Sequence, residues 1–252
     1  MLFTTFGNSA HKTLMLVHGL GVSYQVFGPL IEHLHDRYHI VAVQVDGFLL
    51  DDNSKAIPST FTSIDDQVDQ LVQHICSAYG GHIDAAYGLS MGGCIVAKLQ
   101  ERAEITIDHV ILDAAPLVPL PRWSIDPLRY YQSFNVWCSY HMSGFFKWLF
   151  RSHYFGTLLD ELAKVYPSGY GRAVRDAYKS IYTSRLERVR CTDVHYWYGQ
   201  HEAFVAKYMY RHLATLAPHC HITRFPHMQH GQLAIDHPGR VAQLIAEVVG
   251  EK

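Results

Sequence analysis

The 252-residue chain has little charge and little imbalance of charge. Asp, Glu, Lys and Arg make up 17 %, with 21 basic against 23 acidic residues and a formal net charge of −2. That leaves no basic footprint of the kind that binding to nucleic acid requires. No apolar run approaches the ~20 residues of a membrane-spanning helix. The first residues, Met1 to Phe6, lack the basic and long apolar regions of a secretory leader. Cysteine is scarce and scattered: five residues, at 76, 94, 138, 191 and 220, with no C-x-x-C. An odd, widely spaced set excludes a disulfide framework and a zinc ribbon. These absences together predict a soluble protein of a reducing compartment, the cytoplasm. No repeat and no low-complexity segment is evident.

Apolar material is abundant. Hydrophobic residues reach 48 %, enough for a large core. Histidine is also plentiful, and protonating all 18 would carry the formal charge from −2 to +16. Short apolar runs bounded by Gly, Asp or Pro recur at 13–17, 38–45, 83–87, 109–112, 194–198 and 221–225. Runs of this kind read as buried parallel strands. Helical periodicity falls between them. Ile64, Val68, Leu71, Val72, Ile75, Cys76 and Tyr79 share one face, with Ser63 as N-cap and Asp66 as its capping-box partner. Val241, Leu244, Ile245, Val248 and Val249 form a second stripe behind Pro238. The alternation predicts an α/β fold, a mainly parallel sheet with helices on both faces.

Residues 116–190 interrupt it. This 75-residue stretch opens with Pro116, Pro119 and Pro121, holds 16 of the 32 aromatics, and carries +6 while the rest carries −8. It is expected to be a helical cap inserted into a core made of 1–115 and 191–252. Its Trp137, Met142, Phe145, Phe146, Trp148, Leu149 and Phe150 are expected mostly to pack the cap on the core. Roles as a lid over an apolar pocket, or in transient contact with a lipid surface beside Lys147 and Arg151, are the alternatives.

The most informative motif is Gly88-Leu89-Ser90-Met91-Gly92, G-x-S-x-G between a strand and a helix. Small neighbours allow a tight turn that pushes the serine out of the sheet. The helix N-terminus behind it favours negative charge. On these residues, and on His18-Gly19-Leu20-Gly21 after an early strand, nearly the whole chain resembles the α/β-hydrolase superfamily. The resemblance implies an oxyanion hole from the backbone amides of Leu20 and Met91, and a triad in the order Ser, acid, His. Glu202, in Gly199-Gln200-His201-Glu202, matches the acid position, with Glu where Asp is usual. Asp113, at the end of the 109–112 strand, is the alternative acid. His230 fits the base position, with Gln229 where glycine is usual, and His227 is the alternative. His237 reads as a helix-opening residue. Phe48, in the turn after Val45, is a candidate for lining the site.

These residues permit acyl transfer through an acyl-enzyme, without metal or organic cofactor. The His-x-His pairs 33/35 and 219/221 each lack a third metal ligand at useful spacing. The expected activity is hydrolysis of a small-molecule carboxylic ester with an apolar portion. Amide, C–C or acyl-transfer chemistry on the same fold, and a non-catalytic small-molecule receptor, stand as alternatives.

Overall fold

Seven strands make one sheet in the computed structural model, which describes residues 1–166 and 170–250. The strands are β1 (Leu2–Phe6), β2 (Thr13–Val17), β3 (His39–Gln44), β4 (His82–Leu89), β5 (Thr106–Asp113), β6 (Asp193–Gly199) and β7 (His221–Phe225). Their spatial order is β1-β3-β2-β4-β5-β6-β7, and all neighbours are parallel except β1 and β3. No apolar run announces β1. Leu2-Phe-Thr-Thr-Phe6 is a half-exposed edge strand, so it lacks the fully apolar signature of the central five.

Side chains alternate between two cores. Met15, Val17, Val41, Val43 and Ala86 face α2 (Ile64–Tyr79) and α3 (Met91–Leu99). Leu14, Leu16, Ile40, Ala42, Tyr87 and Trp197 face α1 (Gly28–Leu34) and, near the C-terminus, Val241, Ile245 and Val249. Burying each large side chain contributes about 1.5–3 kcal/mol. On α2, Ile64, Val68, Leu71 and Ile75 are buried as the stripe requires, but Cys76 is exposed because it lies past the stripe's edge. Ser63 caps α2 by accepting from the Asp66 amide at 3.0 Å. The reciprocal half of the box is missing: the Asp66 carboxylate accepts from Thr62 Oγ1 at 2.6 Å.

Between β5 and β6 the described residues contain no strand but four helices: α4 (Arg122–His141), α5 (Ser143–Phe150), α6 (His153–Val165) and α7 (Tyr170–Thr183). Residues 167–169 of the expected cap, and 251–252 of the expected core, lie outside the described residues. α4 buries only Ile125, and α5 buries nothing. The expectation that the aromatics pack inward therefore fails for most of them. Trp137, Met142, Phe145, Trp148, Leu149 and Phe150 are all exposed, and α5 packs on α4 and α6 without burying any of its residues. The chain closes with α8 (Ala203–Leu216), α9 (Gln232–Asp236) and α10 (Pro238–Val249), and His237 precedes the last. No helix among the described residues is long and apolar enough to cross a membrane.

The strand order reverses at β2. The chain leaves β2 for β3 on one side and returns to β4 on the other. The crevice at the C-terminal ends of β2 and β4 is therefore the natural place for a site in an open α/β sheet.

Candidate active site

Ser90 stands at that crevice, between the last residue of β4 and the first of α3. Its backbone is left-handed, with φ +54° and ψ −113°. Such a conformation costs a non-glycine residue about 1–3 kcal/mol and must be held by its surroundings. Here the Ser90 amide donates to the Asp113 carbonyl at 2.7 Å. α3 lies so close to the sheet that a Cβ on Gly92 would come within 2.1 Å of the Val17 carbonyl oxygen. Only glycine fits there, which is why the motif needs it.

The Ser90 hydroxyl meets the His230 ring, with Oγ 2.8 Å from Nε2, while Nδ1 lies 2.6 Å from Glu202 Oε2. A carboxylate only accepts, so Nδ1 carries the proton and Nε2 is free to accept from Ser90. Glu202 is fixed by its second oxygen, which accepts from the Gly199 amide at 3.0 Å. Burial pulls the His230 pKa down. The hydrogen bond and charge of Glu202, with the charge of Asp113 behind them, outweigh that and raise it above the ordinary histidine value.

The segments that carry Glu202 and His230 converge because their backbones touch. The loop before α9 crosses the end of β6 so closely that a Cβ on Gly199 would lie 2.5 Å from the carbonyl oxygens of Met228 and Gln229. The His201 amide donates to Met228 O at 3.1 Å, and Gln200 accepts from the His227 amide at 3.1 Å. His227 is thus turned into that backbone clasp, with φ +59°, while the ring that reaches Ser90 is His230's.

Of the two candidate acids, the geometry brings Glu202 to the imidazole. Asp113 is 3 % exposed, and its carboxylate accepts from Tyr87 Oη at 2.6 Å. Burial pushes its pKa up to about 6, with the Tyr87 bond opposing and the charge of Glu202 adding.

Leu20 lines the crevice beside Ser90. Met91, as the first residue of α3, has an amide with no acceptor inside the helix. The loop that carries Leu20 is clamped by His18, a role not apparent in the sequence. The fully buried His18 ring donates from Nδ1 to Gly19 O at 2.8 Å and accepts at Nε2 from the Val45 amide at 3.1 Å. Burial lowers its pKa to about 4 against the pull of the Gly19 carbonyl, so the ring is neutral. Phe48 does not line the site. It is fully buried, edge-on to His18 at 6.1 Å and packed on Phe61, because the Asp46-Gly47 turn directs it into the core.

The crevice opens into a cavity of about 310 Å³. Ala114, Ala115 and Pro116 form its floor, Tyr178, Ile181 and Tyr182 of α7 one wall, and Val205, Ala206 and Met209 of α8 the other. α7 supplies a wall that no motif announces. α6 adds two ties to loops beside the site: Ser23 Oγ donates to buried Glu161 Oε2 at 2.7 Å, and Tyr154 Oη donates to the His230 carbonyl at 2.5 Å.

His221 of the 219/221 pair stands beside Asp193 and His195 of the neighbouring strand, a juxtaposition that spacing along one segment cannot show.

Residues 8–233 match the family of serine aminopeptidases S33. No curated protein sequence matches the chain significantly. Among solved structures, a protein described as an alpha/beta hydrolase family member from Desulfitobacterium hafniense is 20 % identical, covering 98 % of this chain and 100 % of that one with a TM-score of 0.79. An esterase from Thermogutta terrifontis, with malate bound, is 20 % identical over 98 % of this chain and 91 % of its own, with a TM-score of 0.73. An enol-lactonase from Burkholderia xenovorans is 14 % identical over 99 % and 96 %, with a TM-score of 0.74.

Proposed function

The chain belongs to the serine aminopeptidase S33 family of the α/β-hydrolase superfamily, and from that premise we propose that it is a serine hydrolase cleaving small carboxylic esters with an apolar acyl portion. The observation that carries this reading is the continuous line Ser90 Oγ, His230, Glu202 at 2.8 and 2.6 Å. Ser90 Oγ attacks the ester carbonyl carbon as its proton passes to His230 Nε2. Glu202 holds the imidazole in the tautomer that can accept and stabilises the imidazolium formed. The amides of Leu20 and Met91 receive the developing oxyanion. His230 then returns the proton to the departing alkoxide, leaving an acyl-Ser90. Water, deprotonated by His230, repeats the sequence and releases the acid.

The cavity favours an ester over an aminoacyl amide. An aminopeptidase must hold a substrate ammonium, for which a free carboxylate is the usual partner. The carboxylate lining this cavity is that of Glu202, already shared between His230 and the Gly199 amide. The remaining lining is largely Ala, Ile, Val, Met and Tyr, and 310 Å³ lies at the small end of ligand sites, about 300–1,000 Å³. We read residues 116–190 as a cap that closes one side of this cavity through α7. Its outward face, with Trp123 at 81 % and Trp148 at 63 % exposure beside Arg122, Lys147 and Arg151, suits brief contact with an anionic lipid surface that supplies apolar substrate.

A series of p-nitrophenyl esters of increasing acyl length, run beside aminoacyl p-nitroanilides, tests the reading. Esters of short to medium chain should turn over and label competitively with a fluorophosphonate at Ser90. Faster cleavage of the anilides would favour an aminopeptidase, and refusal of the probe by folded protein would favour a receptor.

A further inference from the structure

Toward the end of the sheet opposite Ser90, His109 in the middle of β5 lies in adjacent register with Asp193 and His195 at the start of β6 and His221, the first residue of β7. His109 pairs with Asp193 across β5 and β6, and His195 with His221 across β6 and β7. From this juxtaposition we propose a binding site for a zinc-class divalent cation, ligated by Asp193, His195 and His221 and supported by His109. The stretch of β6 from His195 to Gly199 puts about 13 Å of strand between it and the catalytic end, and it shares no residue with Ser90, His230 and Glu202.

The donor atoms of the three ligands all lie within 4.8 Å of one another. Bonds of 2.0–2.2 Å in a tetrahedron put donors about 3.3–3.6 Å apart, so closure needs a movement of about 1 Å. His221 can supply it. Its ring is exposed and stacks on His195 at 4.7 Å between centroids, so rotation about its own side-chain bonds moves a solvent-facing group.

The support is already in place. Asp193 Oδ2 accepts from His109 Nδ1 at 2.6 Å, which fixes the carboxylate plane. Its other oxygen, Oδ1, is hydrogen-bonded to His195 Nε2 at 3.0 Å, so the two donor atoms already stand at the spacing of neighbouring ligands. A metal between them takes the lone pair of each, as His195 passes to the Nδ1–H tautomer. Carboxylates that bind metals are themselves held by hydrogen bonds from groups outside the coordination sphere. Two imidazoles and one carboxylate select zinc and its neighbours over magnesium or calcium, which prefer oxygen alone. Water completes the fourth position. Such a clasp would fasten β7, the edge strand, to β6.

Titration of the full chain with Zn²⁺, followed calorimetrically in a non-chelating buffer, tests this. With 18 histidines in the chain, the readout is the difference between variants. The wild type should show a site of micromolar affinity that disappears in His221→Ala and in His195→Gln but persists when His33 and His35 are both replaced by Ala. His109→Ala should weaken it by about 10–100-fold. Zn²⁺ should raise the Tm of the wild type and not of His221→Ala, which alters an exposed residue and leaves ester hydrolysis unchanged. Equal stoichiometry and affinity in wild type and His221→Ala, or no wild-type binding tighter than millimolar, overturns the proposal.

Discussion

Tyr154, in the first turn of α6, donates its phenol to the backbone carbonyl of His230 at 2.5 Å. A residue of the inserted helices thus holds the loop that carries the proposed base. Burial, with the charges of Glu202, Asp236 and Asp113 adding, raises the Tyr154 pKa to about 12, so it remains a donor across the working range. Tyr154→Phe keeps the ring and leaves the carbonyl without this donor. Stability should fall by about 1–3 kcal/mol. kcat should fall by about tenfold through loss of His230 placement, with KM little changed. Urea melts and ester kinetics that both match wild type would mean that the tie positions nothing.

The proposed nucleophile and base act as one unit, so Ser90→Ala and His230→Ala should each abolish measurable turnover, and the double variant should be no worse than either. His227→Ala should retain most activity, because His227 is engaged through its amide with Gln200. Steady-state kinetics on folded proteins ranks the three. A larger loss for His227→Ala than for His230→Ala would transfer the role of base.

Glu202 should show itself in the pH profile as well as in rate. His230 acts when neutral, and its raised pKa places the acid limb of kcat/KM above the ordinary histidine value. Glu202→Gln removes the two larger effects that raise it, and leaves the burial that lowers it with only the smaller charge effect of Asp113 opposing. The acid limb should therefore move to lower pH while kcat drops, by up to about 10⁴-fold as in the best-studied triad. Asp113→Asn removes a smaller charge effect on the same ring and should shift the limb less, with a modest drop in kcat. An unmoved limb in Glu202→Gln would detach that residue from the imidazole.

The central strands and the elbow were legible because each rests on local sequence. A buried strand is an apolar run, and a strained serine needs its glycines. The remainder depends on contacts between distant segments. β1 is amphipathic and hides its strand character at an edge. His18 looks like part of a turn until Val45 is brought against it. Sequence could not show that the Glu202 carboxylate meets the His230 ring, or that the phenol of Tyr87, 26 residues before Asp113, donates to the Asp113 carboxylate. Phe48 and the aromatics of α5 exchanged their expected places, core for surface, because composition does not tell which side of a helix meets the sheet.

The outward face of α4 and α5 gives a prediction about lipid. Trp123, Phe134, Trp137, Phe145, Trp148 and Phe150 are all exposed, within an insert that carries +6. Interfacial helices join apolar contact to attraction for anionic headgroups. The protein should float with vesicles containing phosphatidylserine, less with phosphatidylcholine alone, and lose binding in high salt. Trp123→Ser with Trp148→Ser should weaken flotation without altering hydrolysis of a soluble ester. Flotation that is absent in both lipids, with a concentration-dependent dimer instead, would assign the face to a second copy of the chain.

Asp113 and His18 make opposite demands on stability as pH falls. The buried Asp113 carboxyl titrates at about 6 in the folded chain against 3.8 unfolded. Between these values the folded state holds the extra proton, so this group costs stability as pH rises from 3.8 through 6. His18 titrates at about 4 folded against 6.5 unfolded. There the unfolded state holds the extra proton, so its contribution is complete above 6.5 and is lost as pH falls towards 4. A tenfold difference in proton affinity between the two states is worth about 1.4 kcal/mol, so each effect is on the order of 3 kcal/mol. Their windows overlap and their signs oppose, so the two largely cancel in the wild type. Asp113→Asn removes one side of the balance while an amide oxygen still accepts from Tyr87. The variant should lose stability between pH 6.5 and 4 more steeply than wild type, and its stability relative to wild type should rise by up to about 3 kcal/mol from pH 4 to pH 7. Urea melts at four pH values decide it. Parallel curves for the two proteins would mean that the Asp113 carboxyl titrates alike in the folded and unfolded chain, and that Tyr87 fully offsets its burial.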